Sequence, residues 1–240
     1  MATRKQAFIV RAFRFCLKLA LILFVCANLY LILCKWVMPP ITITQAAAFF
    51  EGYGLKRNYV NNNEIAAHVK LAAIASEDQL FTDHSGFDWK AIDKSLNAPK
   101  KKHRPQGSAA STISQQTAKN VFLWQGSGIS RYIRKLPEFY FTYMIELIWG
   151  KTRIMEVYLN VIEMGPGIFG IDAAALQYFH KTAAAISRAE AAQLIACLPN
   201  PKHFTVRPMS RRVSWRYPQI MQQMNNLEGD EDVQALLKGK

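Results

Sequence analysis

The stretch IASEDQLFTDHSGFD, residues 74–88, concentrates acidic groups within an otherwise basic chain. Glu77 and Asp78 come where an apolar segment stops, and His84 and Gly86 follow them. A carboxylate beside apolar walls has its charged form disfavoured, which raises its pKa and makes it a better base. The stretch therefore offers Glu77 as a candidate general base.

The residues before Glu77 predict a helix with one apolar face. Ala66, Val69 and Ala73 share a stripe with Glu77, because eleven residues bring an α-helix round to nearly the same side. This stripe predicts that Glu77 ends a buried face. The alternative is that Glu77 is a surface acid and Ser76-x-x-Gln79 a capping box, and the stretch alone leaves both interpretations open.

Helical signals dominate the chain after residue 60. Pro137 suits the first turn of a helix and predicts that PEFYFTYMIELIW starts there and stops at Gly150. Ser187-x-x-Glu190 forms a capping box before another apolar run. No convincing series of alternating strands appears in the sequence. The pattern predicts one mostly helical globular domain.

An apolar segment near the N-terminus predicts a membrane anchor. Residues 19–34 carry no charge, and with Lys18 and Lys35 extending outward the segment reaches from residue 16 to residue 38, enough to cross a bilayer of about 30 Å. Only basic charges precede it, so the positive-inside rule places the N-terminus in the cytoplasm and residues 39–240 outside it. A cleaved signal peptide is the alternative, although no small-x-small cleavage site closes the run.

The formal net charge of +13 suits a surface that meets anionic lipid headgroups, phosphates or acidic polymers. Charge alone fits general solubility equally well. The basic run PKKKHRPQG, residues 99–107, is typical of a solvated loop, and a role for it at lipid headgroups is a hypothesis.

A second candidate acid lies in IRKLPEF, residues 133–139. Arg134 and Lys135 precede Pro137, so Glu138 is expected in the first helical turn. Free backbone N–H groups and two cations favour anions at such a place, which predicts a phosphate site. Ordinary helix-start chemistry explains the same residues without a ligand.

A third polar element is STISQQTAKN, residues 111–120. Ser111 and Thr112 are expected at a helix start, with Gln116 and Lys119 one and two turns along the same side. Hydroxyl, amide and ammonium groups on one stripe can bind sugar hydroxyls and phosphates. A solvated polar face is the alternative.

Taken together, these stretches resemble the peptidoglycan glycosyltransferases. The similarity rests on E-D-x-x-F-x-x-H-x-G-x-D at 77–88, S-T-x-x-Q-Q-x-x-K-N at 111–120 and R-K-x-x-E at 134–138. It continues with K-x-x-I-x-x-x-Y-L-N at 151–160 and G-x-G-x-x-G at 165–170, then E-A-A-x-L at 190–194 and L-P-N-P at 198–201. The glycine pattern follows a helix rather than a strand, so it does not indicate a nucleotide site.

The resemblance implies a mostly helical, lysozyme-like domain that joins lipid-linked disaccharide-pentapeptide units (lipid II) into glycan strands, with inversion and release of polyprenyl diphosphate. The chain has no S-x-x-K serine motif, so it resembles the monofunctional form, which lacks a transpeptidase domain. The expected organisation is a cytoplasmic basic segment (1–15), a transmembrane anchor (16–38), a linker or stalk (39–60), the glycosyltransferase domain (61–225) and a C-terminal tail (226–240).

The family's residue roles fall on matching positions. Glu77 resembles the general base that takes the proton from the acceptor's 4-hydroxyl, and Glu138 resembles the second acid near the donor diphosphate. Lys119, Arg134 and Lys135 would neutralise that diphosphate. The other implied substrate-binding residues are Asp78, Phe81, His84, Gly86, Ser111, Thr112, Gln116, Asn120, Lys151 and Asn160.

The resemblance also implies partners and a location. The partners would be lipid II, the lipid-linked glycan strand, the bacterial cytoplasmic membrane and other cell-wall synthesis and division proteins, with no nucleic acid. The catalytic domain would lie on the outer, periplasmic face of the inner membrane. A divalent cation, Mg²⁺ or Mn²⁺, would assist the departing diphosphate, and no organic cofactor is expected.

Two other functions stay open at this point. A lysozyme-like fold with two carboxylates also suits a hydrolase that cuts glycan strands. A basic, membrane-anchored domain also suits a scaffold without catalytic activity. The cationic pair beside Glu138 and the anchor favour a diphosphate donor over both.

Overall fold

A computed structural model describes residues 2–97, 111–126 and 128–239 of the chain. These residues divide into two compact units, Met1–Met38 and Pro39–Lys240. The predicted basic loop at 99–107 lies outside the described residues.

The first unit is helix α1, Ala2–Leu33. Its segment Phe8–Leu33 has a mean hydropathy of 2.4 and is long and apolar enough to cross a membrane. The predicted anchor, 16–38, overlaps this segment, but the helix ends at Leu33. Two prolines follow at 39 and 40, and the residue before a proline is disfavoured in helical conformation.

The second unit is mostly helical, as predicted. Its described elements in chain order are α2 Ile43–Phe50, β1 Lys56–Arg57, a 3-10 helix Asn62–Glu64, α3 Ala67–Glu77, α4 Trp89–Asn97, α5 Ile113–Phe122, α6 Gly128–Ile148, α7 Lys151–Val161, β2 Glu163–Gly165, β3 Ile168–Phe169, α8 Ile171–Phe179, α9 Arg188–Ala196, α10 Arg211–Leu227 and α11 Glu231–Leu237.

Helix α3 lies in the core. Of the predicted apolar stripe, Val69 and Ala73 are fully buried, while Ala66 is half-buried and precedes the helix, and α3 packs against α9 and α10. Its last residue is Glu77. Helix α5 packs against α6 and α7, so the two helix groups bring the predicted polar segments into one unit.

Both ends of the second unit are folded where the sequence predicts a stalk and a tail. In the stretch 39–60, α2 begins with a capping box at Thr42, and β1 pairs in parallel with β3. In the stretch 226–240, α11 buries Val233 and Leu236 and packs against α3. Short apolar contacts of this kind involve too few residues to produce a periodic signal.

A small sheet of order β1-β3-β2 joins the stretch 39–60 to the segment after α7. Its strands are two or three residues long, too short for an alternating pattern to be recognised. Gly167 turns the chain between β2 and β3 with φ of +68°, and a Cβ there would lie 2.3 Å from the carbonyl oxygen of Tyr53. This part of the glycine-rich motif therefore serves close backbone packing.

Helix α6 differs from its prediction, because it begins at Gly128 and Pro137 lies inside it. Proline lacks the N–H that would bond the carbonyl of the preceding turn. Arg134 and Lys135, before the proline, both bond Glu138 after it. The Thr142 hydroxyl donates to the Glu138 carbonyl oxygen at 2.7 Å. These bonds and the burial of Glu138 and Thr142 hold the helix together across the proline.

Candidate active site

A cleft of about 820 Å³ opens where α3 ends and α5 begins, with α6 and α10 as its other walls. Its lining is dominated by cationic and polar side chains around two carboxylates. The lining residues are Ser76, Glu77, Ser111, Gln115, Gln116, Lys119, Gln125, Gly126, Arg131, Arg134, Lys135, Glu138, Leu198, Pro199, Arg212, Trp215 and Arg216.

Glu77 is half-buried at the C-terminal end of α3 and faces the cleft. Burial raises the pKa of its carboxyl, and hydrogen bonds from Gln116 and Ser76 partly offset this. The Gln116 side-chain amide donates to Oε2 at 3.1 Å, and the Ser76 hydroxyl donates to Oε1 at 3.1 Å. Glu77 is thus a carboxylate in a confined site, and Ser76 belongs to the end of α3 rather than to a helix start.

The start of α5 supplies the next wall. Thr112 caps this helix, accepting from the Gln115 N–H at 3.1 Å, while the Gln115 side chain accepts from the Thr112 N–H at 3.0 Å. The cap fixes the first turn, and Ser111, Gln116 and Lys119 line the cleft. Burial, followed by the positive charge of Arg134, lowers the pKa of Lys119 to about 8.

Glu138 lies deep in the wall formed by α6. Its side chain is 3% exposed and pairs with Arg134, 6% exposed, and with Lys135 at 2.5 Å. The predicted helix-start N–H groups are absent from this place, because Glu138 lies in the middle of α6. The cations themselves therefore form the anion-favouring surface, and the Nε of Arg134 is buried without a hydrogen-bond partner.

Several predicted substrate-binding residues form a buried network outside the cleft lining. Asp78 accepts from the backbone N–H of Ile113 at 2.9 Å and lies 2.9 Å from Nε2 of His84. The Thr112 hydroxyl donates to the Gly86 carbonyl oxygen at 2.7 Å. The network ties the end of α3 to the start of α5, so it positions Glu77 and Gln116 relative to each other.

The remaining predicted residues also have partners within the protein. Phe81 is fully buried, and Lys151 lies over its ring and bonds the His84 carbonyl oxygen at 2.6 Å. Asn160 is fully buried and exchanges two hydrogen bonds of 2.9 Å with the Val60 backbone. Asn120 is buried and accepts from Gln125, which lines the cleft. The structure gives these side chains positioning contacts and leaves their predicted substrate contacts untested.

We expect Asp78→Ala to lower the free energy of unfolding by about 2–3 kcal/mol, because it leaves the Ile113 N–H and the His84 ring without their hydrogen-bond partner. Chemical denaturation of the detergent-solubilised protein measures this change. Asp83→Ala, at an exposed position near the network, is the matched control and should leave stability unchanged. Unchanged stability with a raised KM would instead show that Asp78 binds substrate.

The sequence reasoning missed the wall formed by α10. Arg212 and Arg216 are four residues apart and thus share one helix face, and Trp215 stands beside them in the cleft lining. The charge of Arg216 lowers the pKa of Glu77, against the larger effect of burial. The pattern R-R-x-x-W-R, residues 211–216, was the available signal, but only the fold shows that it faces Glu77.

The described residues do not offer a set of ligands for the divalent cation that the resemblance implies. No group of three His, Cys, Asp or Glu side chains suited to a metal occurs in the described parts of the chain. Both carboxylate oxygens of Glu138 are occupied by Arg134 and Lys135. We therefore derive no step through a metal ion.

The arrangement separates two chemical tasks within one cleft. Glu77, with its raised pKa, can accept a proton on one side. Lys119, Arg134 and Lys135 can stabilise a growing negative charge beside Glu138. A reaction in which a hydroxyl attacks and an anionic group departs fits this separation.

Comparison with known proteins places the chain in a family. A family model described as Transglycosylase matches residues 44–225. The "Biosynthetic peptidoglycan transglycosylase" of Shewanella oneidensis is 41% identical over 224 residues, covering 90% of this chain and 93% of that protein. Proteins of the same name from Pseudomonas syringae pv. tomato and Escherichia coli are 42% and 44% identical, covering 87% and 79% of this chain and 89% and 78% of those proteins.

The matched region runs from the second residue of α2 to the last turn of α10, and it contains every residue that lines the cleft, including both candidate catalytic glutamates. With this coverage and these identities, the chain belongs to the transglycosylase family and is an enzyme of peptidoglycan synthesis.

Proposed function

We propose that this enzyme elongates glycan strands by transferring the growing lipid-linked chain to the 4-hydroxyl of lipid II, with inversion and release of polyprenyl diphosphate. The observation that carries the proposal is the pairing, in one cleft, of a half-buried carboxylate of raised pKa with three cations next to a second carboxylate. A sugar hydroxyl needs a base, and a diphosphate leaving group needs positive charge.

Glu77 is the proposed general base. It takes the proton of the acceptor hydroxyl as that oxygen attacks the donor's anomeric carbon. The raised pKa supports this role, because a base whose pKa lies closer to the working pH accepts a proton more readily. Arg216 and Lys119 face the carboxylate and keep its ionised form accessible.

Lys119, Arg134 and Lys135 are proposed to hold the donor diphosphate. The negative charge on its leaving oxygen grows as the C–O bond breaks, so cations fixed in advance stabilise the transition state more than the ground state. Glu138 holds Arg134 and Lys135 in place and is proposed to assist the departing group. Dependence on Mg²⁺ or Mn²⁺ stays a separate prediction, tested by activity with and without a chelator.

An enzyme anchored in the membrane would lie beside its lipid-linked substrate, which supports the same function. Helix α1 could anchor the chain, and the proposed topology has the N-terminus in the cytoplasm and the cleft on the outer face of the inner membrane. Helix α6, which carries Glu138, also exposes Ile129, Leu136 and Leu147, with Leu136 81% exposed. An apolar face on the helix that carries the diphosphate site suits contact with the lipid phase.

A hydrolase that cuts glycan strands is the second candidate, since the cleft contains two carboxylates. Against it, cations line the cleft beside the second carboxylate, and hydrolysis of an uncharged glycosidic bond does not need them, whereas a departing diphosphate does. The test is to incubate the folded protein separately with fluorescent lipid II and with purified glycan strands. A polymer ladder from lipid II supports the transferase, and shortening of the strands without lipid II would overturn it.

The pH dependence of kcat/KM should have a basic limb near pH 8. Lys119 must be protonated to neutralise a diphosphate, so activity should fall as pH rises through its pKa of about 8. Lys119→Arg keeps its charge and should move this limb upward. Lys70→Arg, another lysine whose pKa burial lowers, lies outside the cleft lining and should leave the limb in place. An unmoved limb in Lys119→Arg would contradict the assignment.

A further inference from the structure

We propose that Tyr158 is a positioning residue, which orients the side-chain amide of Gln116 so that its NH₂ group faces Glu77. This inference rests on the proposed role of Glu77 as the base. It assigns a function to a buried hydroxyl that lies outside the cleft lining.

Three side chains from three helices form a continuous chain of hydrogen bonds. The Tyr158 hydroxyl, from α7, donates to Oε1 of Gln116 at 3.4 Å. Nε2 of Gln116, from α5, donates to Oε2 of Glu77 at 3.1 Å and to the Ser111 carbonyl oxygen at 3.5 Å. The amide thus has a donor on its oxygen side and two acceptors on its nitrogen side.

The orientation of this amide matters because its two ends have opposite effects on a carboxylate. An NH₂ group donates to the ionised form of Glu77 and stabilises it, whereas a carbonyl oxygen in the same place would repel it. Tyr158 is fully buried, and burial and the charge of Glu77 raise the pKa of its phenol. The phenol therefore keeps its proton and remains a donor to the amide oxygen.

The Ser111 carbonyl oxygen and Glu77 itself act on the nitrogen side of the amide, and Tyr158 adds the donor on its oxygen side. The Ser76 hydroxyl occupies the other carboxylate oxygen. Besides Tyr158, the titratable groups that interact with the charge of Glu77 are Lys119, Cys197 and Arg216, while Asp78 acts on the Tyr158 phenol. Within the described residues, Oε1 of Gln116 accepts one hydrogen bond, and its donor is the Tyr158 hydroxyl.

The direct test is the acidic limb of the kcat/KM pH profile. Tyr158→Phe removes only the hydroxyl and should leave the amide free to turn. The ionised form of Glu77 then loses stabilisation, so the limb should move to higher pH by about half a unit to one unit. Gln116→Leu removes the amide itself and should move the limb in the same direction.

A double-mutant cycle separates positioning from packing. If Tyr158 acts through Gln116, Tyr158→Phe should cause no further shift in the Gln116→Leu background. Tyr178→Phe is the matched control, because that hydroxyl also donates over 3.4 Å, to the Met164 carbonyl oxygen, away from the cleft. It should leave the limb in place.

Two results would overturn the inference: an unmoved limb in folded Tyr158→Phe, or an equal shift in the Gln116→Leu background. If Tyr158→Phe does not fold, Gln116→Asn replaces it as the test. The shorter amide cannot span both partners, so an unmoved limb there would likewise overturn the inference. Full activity of Glu77→Gln would instead overturn the proposed base, so the two failures are distinguishable.

Discussion

Glu77→Gln should reduce the rate of glycan polymerisation by about 10²–10⁴-fold, the typical contribution of a general base. Glutamine keeps the size of the side chain and its place at the end of α3 but cannot accept the proton of the attacking hydroxyl. Because Glu77 carries a burial cost that raises its pKa, the variant should unfold at the same temperature as the parent or higher. Initial rates with fluorescent lipid II and a thermal unfolding scan measure both quantities.

Glu163→Gln is the matched control for this variant. Glu163 is also a partly buried glutamate whose pKa burial raises, but it lies outside the cleft lining. It should retain the parent rate. Polymerisation at the parent rate by folded Glu77→Gln would contradict the base assignment, whereas absence of polymer from the folded parent protein would favour a scaffold without catalytic activity.

Glu138→Gln should lower kcat by about 10²–10³-fold without raising KM, the range found when a group that stabilises transition-state charge is lost. The carboxylate holds Arg134 and Lys135 in fixed positions, and an amide cannot pair with both. The unpaired cations still attract the ground-state diphosphate, so binding is maintained while alignment of the departing group is lost. Separate determination of kcat and KM for lipid II checks this result.

Glu156→Gln is the control for the loss of a paired helical glutamate. Glu156 pairs with Arg153 at 2.7 Å on α7, outside the cleft lining, and its replacement should leave both kinetic constants unchanged. A raised KM with unchanged kcat in Glu138→Gln would show that Glu138 serves only substrate binding.

The sequence predicted the elements with long periodic signals. The apolar stripe of α3 and the polar stripe of α5 both correspond to helices in the structure, and Glu77, Gln116 and Lys119 face one cleft. These two stripes were enough to predict the helices, because helical periodicity places residues three, four and eleven positions apart on one side.

The predicted start of α6 at Pro137 was wrong, and the reason is physical. Pro137 usually marks a first turn, but ion pairs across it stabilise a helix that had already begun at Gly128. Such pairs depend on side-chain rotamers and burial that a linear pattern does not contain.

Contacts between distant segments were likewise hidden. Arg216 and Tyr158 lie 139 and 81 residues after Glu77 in the chain, and only packing of α10 and α7 brings their charge or hydroxyl to it. Conversely, Asp78 and His84 lie close to Glu77 in sequence, yet they bond each other, and Asp78 also bonds the backbone of α5. Nearness in sequence thus failed to separate positioning residues from cleft residues.

The most direct test of the central claim is the stoichiometry of the reaction. Detergent-solubilised protein is given lipid II, and released polyprenyl diphosphate and new glycosidic bonds are counted, with the anomeric configuration of the product determined by NMR. The proposed mechanism predicts one diphosphate per new bond, inverted configuration, and formation of both products about 10²–10⁴-fold more slowly by Glu77→Gln. Diphosphate release without polymer, or polymer of retained configuration, would contradict it.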